Sequence, residues 1–228
     1  MSKLTWDEVG KRYYETGCKK GVLYTYNAGA YTAGVVWNGL RSVEQNPSGA
    51  EATALYADDI KYLNLMSNEE FGGTIGCYTY PEEFEPCNGV KEIAPGVKVS
   101  QQDRATFGMS YVTTIGNDSE GTSHGYKIHL VYGATASPSQ TSYNAINDSP
   151  EAVELSYEFT TVAVEVPGMK PAAHIEIDSR TVKPEKLTAL ENILYGKDDT
   201  NSEQKDGTEP RLPLPNELVE LFKDDAVA

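Results

Sequence analysis

Cysteine is scarce in this chain, and its placement argues against two common kinds of site. The 228 residues contain Cys18, Cys77 and Cys87, and no two of them form a C-x-x-C pair. An odd number without paired spacing is typical of free thiols in a reducing compartment rather than of a disulfide scaffold, although a Cys77–Cys87 bridge stays open. The second pair of ligands that a zinc finger requires is also missing.

Positive charge and long apolar runs are in short supply as well. The 19 Lys and Arg residues face 34 Asp and Glu residues, which gives a formal net charge of −15. Proteins that bind nucleic acid cluster their Lys and Arg residues, so this excess of negative charge argues against a nucleic-acid-binding protein. It does not argue against a protein that DNA passes without adhering. No apolar run approaches the roughly 20 residues of a membrane span, and the first residues lack the apolar core of a signal peptide. The sequence therefore predicts a soluble protein that stays where it is made.

The histidines do not combine into a metal site. His124 and His129 are five residues apart in one predicted strand, and an odd separation places their side chains on opposite faces. His174 alternates with isoleucines in another strand. We therefore expect all three histidines to be structural or surface residues and predict no bound metal or cofactor.

Nucleophile and acid–base motifs are incomplete. The segment from Gly108 to Val112 begins like G-x-S-x-G but has valine where the second glycine must stand, so Ser110 is predicted to be an ordinary strand serine. No phosphate-binding G-x-x-x-x-G-K-[ST] loop occurs. The carboxylate clusters at Glu69-Glu70 and at Glu82, Glu83 and Glu85 lie in polar turns, which do not provide the desolvation that a catalytic pair needs. The sequence predicts a protein that is not an enzyme.

What the chain does have is tyrosine and turn formers. It contains 15 Tyr against 5 Phe and 2 Trp, together with 20 Gly and 12 Pro. Tyrosine suits pleated surfaces and subunit contacts, where one end of the side chain stays wet. The composition favours β structure with extensive surface recognition.

Pattern and turn signals divide the chain into an N-terminal segment over residues 1–20, which is interpreted as an arm or a short helix, and a single domain over residues 21–228. Ser67 to Glu70 matches an S-x-x-E capping box and predicts a short helix that Gly72-Gly73 ends. The tract from Lys197 to Pro210 has no apolar residue and predicts a disordered loop. Helices are also predicted from Pro184 to Gly196 and near Asn216 to Phe222. Strands are predicted at Gly21 to Tyr26, Val35 to Glu44 with a bulge or turn at Asn38-Gly39, two short runs within Ala52 to Tyr62, Thr74 to Tyr80, Arg104 to Thr114, Gly125 to Tyr132, Val153 to Val166 and Ala173 to Asp178.

These elements predict a β-rich α+β fold with two peripheral helices. A tyrosine-rich β protein without site chemistry is typical of a self-assembling structural subunit. The runner-up from another class is a monomeric β-sandwich binding module that recognises carbohydrate or a host surface. Concentration-dependent assembly separates the two.

A series of short segments, in order along the chain, resembles the major tail tube protein of long-tailed (siphovirus-type) bacteriophages or prophages. The resemblance spans about Gly21 to Phe222 and rests on the number and order of the segments rather than on any one of them. They are Tyr56 to Leu63, Glu70 to Ile75, Tyr78 to Phe84, Gln101 to Arg104 with Phe107-Gly108, Gly116 to Gly121, Gly125 to Gly133, Asn147 to Ala152, Ile177 to Ser179, Leu190 to Gly196 and Arg211 to Pro215.

The resemblance implies two packed antiparallel β-sheets, sandwich-like or barrel-like, flanked by a helix, with long loops and terminal arms. It further implies that six copies close into a ring, that rings stack into a tube, and that one sheet of each subunit lines the lumen through which DNA is ejected. Its implied partners are further copies of the chain, a tape-measure protein, a tail-tip initiator and a tail terminator. Its implied location is the virion tail, assembled in the bacterial host cytoplasm.

The resemblance also implies a loop that bridges to the adjacent subunit or ring. We assign this loop to the segment from about Glu44 to Tyr80 and expect its contacts at Tyr56, Ala57, Asp58, Asp59, Ile60, Tyr62 and Leu63. The alternative is that this stretch packs on its own sheet. An acidic lumen would repel DNA rather than bind it, which agrees with the net charge of −15.

Overall fold

The computed structural model describes residues 3–145, 152–200 and 206–223. It contains fourteen strands, a short 3-10 turn at Glu82–Phe84 and two helices within those ranges. The strands are β1 (Tyr13–Asn27), β2 (Ala30–Val36), β3 (Leu40–Gln45), β4 (Ser48–Gly49), β5 (Ala52–Ala57), β6 (Ile60–Met66), β7 (Glu69–Glu70), β8 (Gly72–Cys77), β9 (Lys91–Ala94), β10 (Val97–Val99), β11 (Phe107–Asn117), β12 (Gly121–Ala136), β13 (Leu155–Thr161) and β14 (His174–Asp178). The helices are α1 (Pro184–Tyr195) and α2 (Pro215–Phe222).

One eight-stranded antiparallel sheet forms the frame, in the order β2-β1-β11-β12-β13-β8-β3, with β14 also paired to β12. The long strand β12 divides the sheet, because its residues 127–131 pair with β14 and its residues 134–136 pair with β13. Between these two stretches Gly133 takes a positive φ of 60°. The sheet therefore has two branches beyond β12.

The first core lies between the central strands β1, β11 and β12 and the branch that contains β13 and β8. It joins side chains of β1, β11 and β12 to side chains of β8 and β13 and to the 3-10 turn, including Leu23, Met109, Ile75, Phe159 and Phe84. Because strands that are far apart in the sheet share this core, the continuous sheet folds into two packed layers.

The second core lies on the opposite side of β1, β11 and β12, where the helices pack. Leu187, Leu190 and Leu194 of α1 are buried there beside Tyr24 of β1 and Ile128 of β12. Neighbouring residues of a strand point to opposite faces, so Leu23 enters the first core and Tyr24 the second. The central strands are thus covered on both faces.

This architecture confirms the predicted fold class: β-rich, antiparallel, sandwich-like and flanked by a helix, with its two layers joined in one hydrogen-bonded sheet. The predicted helix from Pro184 is confirmed as α1, and the one near Asn216 as α2. The strands predicted at Arg104 to Thr114 and Gly125 to Tyr132 are confirmed as parts of β11 and β12, which pair with each other, and Asn38-Gly39 lies in the turn between β2 and β3. Among the described residues, neither helix is long and apolar enough to cross a bilayer.

Two helical interpretations are wrong. Of the two alternatives for the N-terminal segment, an arm or a short helix, the helix is not formed over residues 13–20, because these residues belong to β1 and pair with the distal half of β11. The helix predicted at Ser67 to Glu70 is also absent: Glu69–Glu70 is strand β7, paired with β4. In both places pairing with a distant segment overrides a local signal.

Two other predictions differ in extent. The strand predicted from Val153 to Val166 is confined to β13, and Val164 instead forms an isolated bridge with Ala172. Of the loop predicted from Lys197 to Pro210, residues 201–205 lie outside the described residues. Its two ends are joined by a bridge between Lys197 and Thr208.

Candidate assembly surface

The segment between β3 and β8 is a long antiparallel hairpin that leaves the main sheet. Val43 is paired with Ile75, Gly49 with Glu69 and Leu55 with Leu63, so the two residue numbers add to 118 in each pair. Backbone hydrogen bonds also cross the gaps between the short strands, from Asn46 N to Gly72 O (2.8 Å) and from Ser67 N to Glu51 O (3.2 Å). We call residues 46–71 the β-arm.

The tip of the β-arm is a two-residue turn. Ala57 is paired with Ile60, and the intervening Asp58 and Asp59 have φ values of 50° and 61°. Two consecutive positive φ values define a type I′ turn, whose twist matches that of a hairpin, and aspartate tolerates this conformation better than most residues. Strands β5 and β6 each extend about 20 Å behind this turn, at the usual rise per residue.

The residues predicted to make inter-subunit contacts all lie at this tip. Tyr56 and Tyr62 are each 70% exposed and Ile60 is 67% exposed, while Leu63 is 38% exposed. Ala57, Asp58 and Asp59 are exposed as well. Residues 56–63 are all exposed, so in the isolated subunit this stretch does not pack on its own sheet, which was the alternative.

Apolar side chains continue down the β-arm towards the main sheet. Leu55 and Leu63 are directly opposite each other and therefore share a face, as do Ala52 and Met66 on the other face. Leu65 and Met66 are more than half exposed. A two-stranded ribbon is marginally stable in water by itself, so one with uncovered leucine and tyrosine side chains is typical of a segment that packs against another surface.

The described residues contain no group of three or more His, Cys, Asp or Glu side chains that could hold a metal ion. Ser110 is fully buried and its Oγ lies 3.1 Å from the hydroxyl of Tyr24, as expected for a strand serine. Glu69 and Glu70 are exposed on the β-arm, and Glu85 forms an ion pair with Lys98. These carboxylates do not converge on a common site.

The structure brings two histidines together that the sequence did not connect. His129 Nδ1 lies 3.1 Å from His174 Nε2, and His129 Nε2 lies 2.9 Å from Thr113 Oγ1. Desolvation by burial lowers the pKa of both imidazoles, that of His174 to about 4. His124 lies elsewhere and contacts Glu120. The pairing of β14 with β12 creates the contact, and no local spacing encodes that pairing.

All three cysteines are free thiols. Burial raises the pKa of Cys18 and of Cys87 to about 11 and also raises that of Cys77. A nucleophilic cysteine needs a lowered pKa, so these thiols have the character of packing residues.

No family model and no curated relative matches this chain. Among solved structures, it is similar to a chain of an extracellular contractile injection system, the PVC sheath-tube complex in its extended state, with a TM-score of 0.33 and 12% identity over 75% of this chain and 92% of that one. It is also similar to a chain of the anti-feeding prophage (AFP) baseplate, with a TM-score of 0.33 and 8% identity over 76% of this chain and 97% of that one. Similarity at this level does not establish a function for the chain.

Proposed function

We propose that this chain is the repeating subunit of a bacteriophage tail tube. In this proposal six copies close into a ring, rings stack into a tube, and the tube conducts DNA into the host. The β-arm carries the proposal, because it presents uncovered leucine and tyrosine side chains on a ribbon that is marginal without a partner.

The occupant that we assign to the β-arm is a second copy of the chain. The β-arm keeps the register of Val43 and Ile75 as far as Leu55 and Leu63, and a shift follows only at the tip, so the main sheet rather than a loose linker holds the β-arm in place. A fixed, protruding element that docks on an identical subunit forms a heterologous contact, and such contacts generate rings or helical stacks. The ordered series of segments that resembles tail tube proteins supports the same assignment.

The proposed mechanism is physical. DNA is a dense polyanion, and a tube built from subunits with a net charge of −15 repels it and so avoids adhesion during passage. In the virion, a tape-measure protein, a tail-tip initiator and a tail terminator would be the further partners, with assembly in the host cytoplasm.

The experiment is negative-stain electron microscopy and sedimentation of the concentrated protein, with and without a tail-tip initiator. We expect hollow tubes or stacked rings from the natural chain. The double variant Tyr56→Ala/Tyr62→Ala should raise the concentration needed for assembly at least about tenfold, since buried interface tyrosines each contribute roughly 1 kcal/mol or more.

The matched control is Tyr143→Ala, which removes a tyrosine that is 81% exposed outside the β-arm. It should assemble like the natural chain, and all variants should keep the same circular dichroism spectrum and melting temperature. A protein that stays monomeric even after the initiator is added would overturn the proposal and favour the monomeric binding module. Equal assembly of the double variant would remove the β-arm from the contact.

A further inference from the structure

Two imidazoles meet head to head inside the fold. His129 Nδ1 and His174 Nε2 are 3.1 Å apart, and the two ring planes are inclined by 11° with centroids 5.3 Å apart. Nitrogens that face each other in nearly coplanar rings at this distance have room for one proton, which one ring donates and the other accepts.

Neighbouring rings hold this pair from both sides. Tyr111 stacks on His129 with centroids 4.6 Å apart and an interplanar angle of 7°. Phe71 stacks on His174 with centroids 4.8 Å apart and an angle of 5°. His129 is 4% exposed and also contacts Thr113. The imidazoles therefore cannot separate without moving a packed neighbour.

The pair connects three parts of the fold. His129 belongs to β12 and His174 is the first residue of β14. Phe71 is the last residue of the β-arm, directly before β8, and its carbonyl accepts a hydrogen bond of 2.6 Å from Thr161 Oγ1. Through this stack His174 is in direct contact with the base of the β-arm.

The charged groups around the pair compensate for one positive charge but not two. Glu176 of β14 lies with Oε2 3.9 Å from His129 Nδ1, and it already pairs with Lys127 of β12 at 3.0 Å. Lys127 also pairs with Glu15 of β1. The side chains from β11 and the β-arm base, Tyr111, Thr113 and Phe71, carry no charge. Protonation of both rings would place two N–H groups and two positive charges opposite each other.

We propose that the hydrogen bond between His129 and His174 is an acid-sensitive lock on the base of the β-arm. With one shared proton, the bond holds β14 against β12 and keeps Phe71 stacked. When acid places a proton on both facing nitrogens, His129 Nδ1 and His174 Nε2, the hydrogen bond between them breaks. Phe71 is then released and the β-arm loosens. The consequence for assembly, that β-arm docking is lost in acid, rests on the proposed function, whereas the lock itself does not.

The test is hydrogen exchange and imidazole NMR on the isolated subunit. Between about pH 7 and about pH 4, amide exchange at residues 69–77 and 174–178, corrected for its intrinsic pH dependence, should rise at least about tenfold. The variant His174→Gln, whose amide can still bond to His129 but cannot titrate, should show no such rise. His124→Gln, which changes a histidine outside the pair, should behave like the natural chain.

Three results would overturn the lock. Exchange at the β-arm base could be the same at both pH values, His174→Gln could respond to acid like the natural chain, or the two imidazoles could titrate independently near the ordinary histidine pKa. The NMR titration uses the natural chain and so decides the matter even if the variant does not fold. If the lock is observed but no tubes form at any pH, the proposed function fails while the lock stands. Equal assembly at both pH values with a loosened base would remove only the consequence for assembly.

Discussion

At the scale of single residues, the three thiols test how closely the first core is packed. Burial raises the pKa of Cys18 and of Cys87 to about 11. Since the thiolate is the reacting form and an ordinary thiol has a pKa of about 8.5, at least about 100-fold less thiolate should be present near pH 8. We expect Ellman's reagent to label Cys18 and Cys87 at least about 100-fold more slowly in the folded than in the unfolded protein, and Cys77 more slowly as well.

The number of thiols released in denaturant provides the second readout. Three reactive thiols per chain are expected, because all three cysteines are free. A single reactive thiol that becomes three after reduction would reveal a Cys77–Cys87 bridge and contradict the structure. Rapid labelling before unfolding would show that the core opens around these side chains.

Single residues also show which parts of the candidate site could be predicted from the sequence. The two short strands predicted within Ala52 to Tyr62 are confirmed as β5 and β6, and residues 56–63 at their tip are exposed. Each histidine was expected to be a structural or surface residue by itself, whereas His129 and His174 are held by partners distant in the sequence. The bond between His129 and His174 could not be found, because it depends on which strand pairs with β12.

At the scale of elements, the division of β12 depends on one glycine. Gly133 has a φ of 60°, and a Cβ at this position would lie 2.2 Å from the carbonyl oxygen of Val162. Because backbone atoms have little freedom to move away, Gly133→Ala should lower the free energy of unfolding by at least about 2 kcal/mol, combining left-handed strain with the clash. Urea unfolding measures this loss.

Gly121 provides a matched control at the other end of the same strand. Its φ is 59°, yet a Cβ there would meet no atom within 4 Å. Gly121→Ala therefore introduces the same backbone strain without the clash and should cost about 1 kcal/mol. Equal losses for the two variants would mean that the close approach of Val162 does not fix the point where β12 exchanges partners.

Elements were predictable where the signal is local. Helix α1 was found because Leu187, Leu190 and Leu194 form an apolar stripe after a first-turn proline. The capping box at Ser67 to Glu70 was misleading, since β4 offers Glu69 and Glu70 a strand partner that the local sequence does not reveal. The first half of β1 was missed because its residues are polar and mostly exposed, so only the pairing with β11 identifies it as a strand.

At the scale of the whole molecule, charge opposes the proposed assembly. Each chain carries a formal charge of −15, so six copies in a ring bring together 6 × (−15) = −90. The apolar side chains of the β-arm have to outweigh this repulsion, and the balance depends on screening. The Debye length falls from about 30 Å at 0.01 M to about 8 Å at 0.15 M ionic strength, so salt shortens the range of repulsion far more than it affects apolar contacts.

The assembled fraction should therefore rise as sodium chloride is added, which sedimentation and light scattering at fixed protein concentration can measure. The control is Tyr56→Ala/Tyr62→Ala, which keeps the charge but weakens the β-arm contact and should need more salt to reach the same assembled fraction. A steady fall of assembly with salt would show that complementary charge pairs dominate the contact, because screening weakens attraction between opposite charges as it weakens repulsion between like ones. The sign of the salt dependence thus separates an apolar β-arm that works against net charge from an interface built on ion pairs.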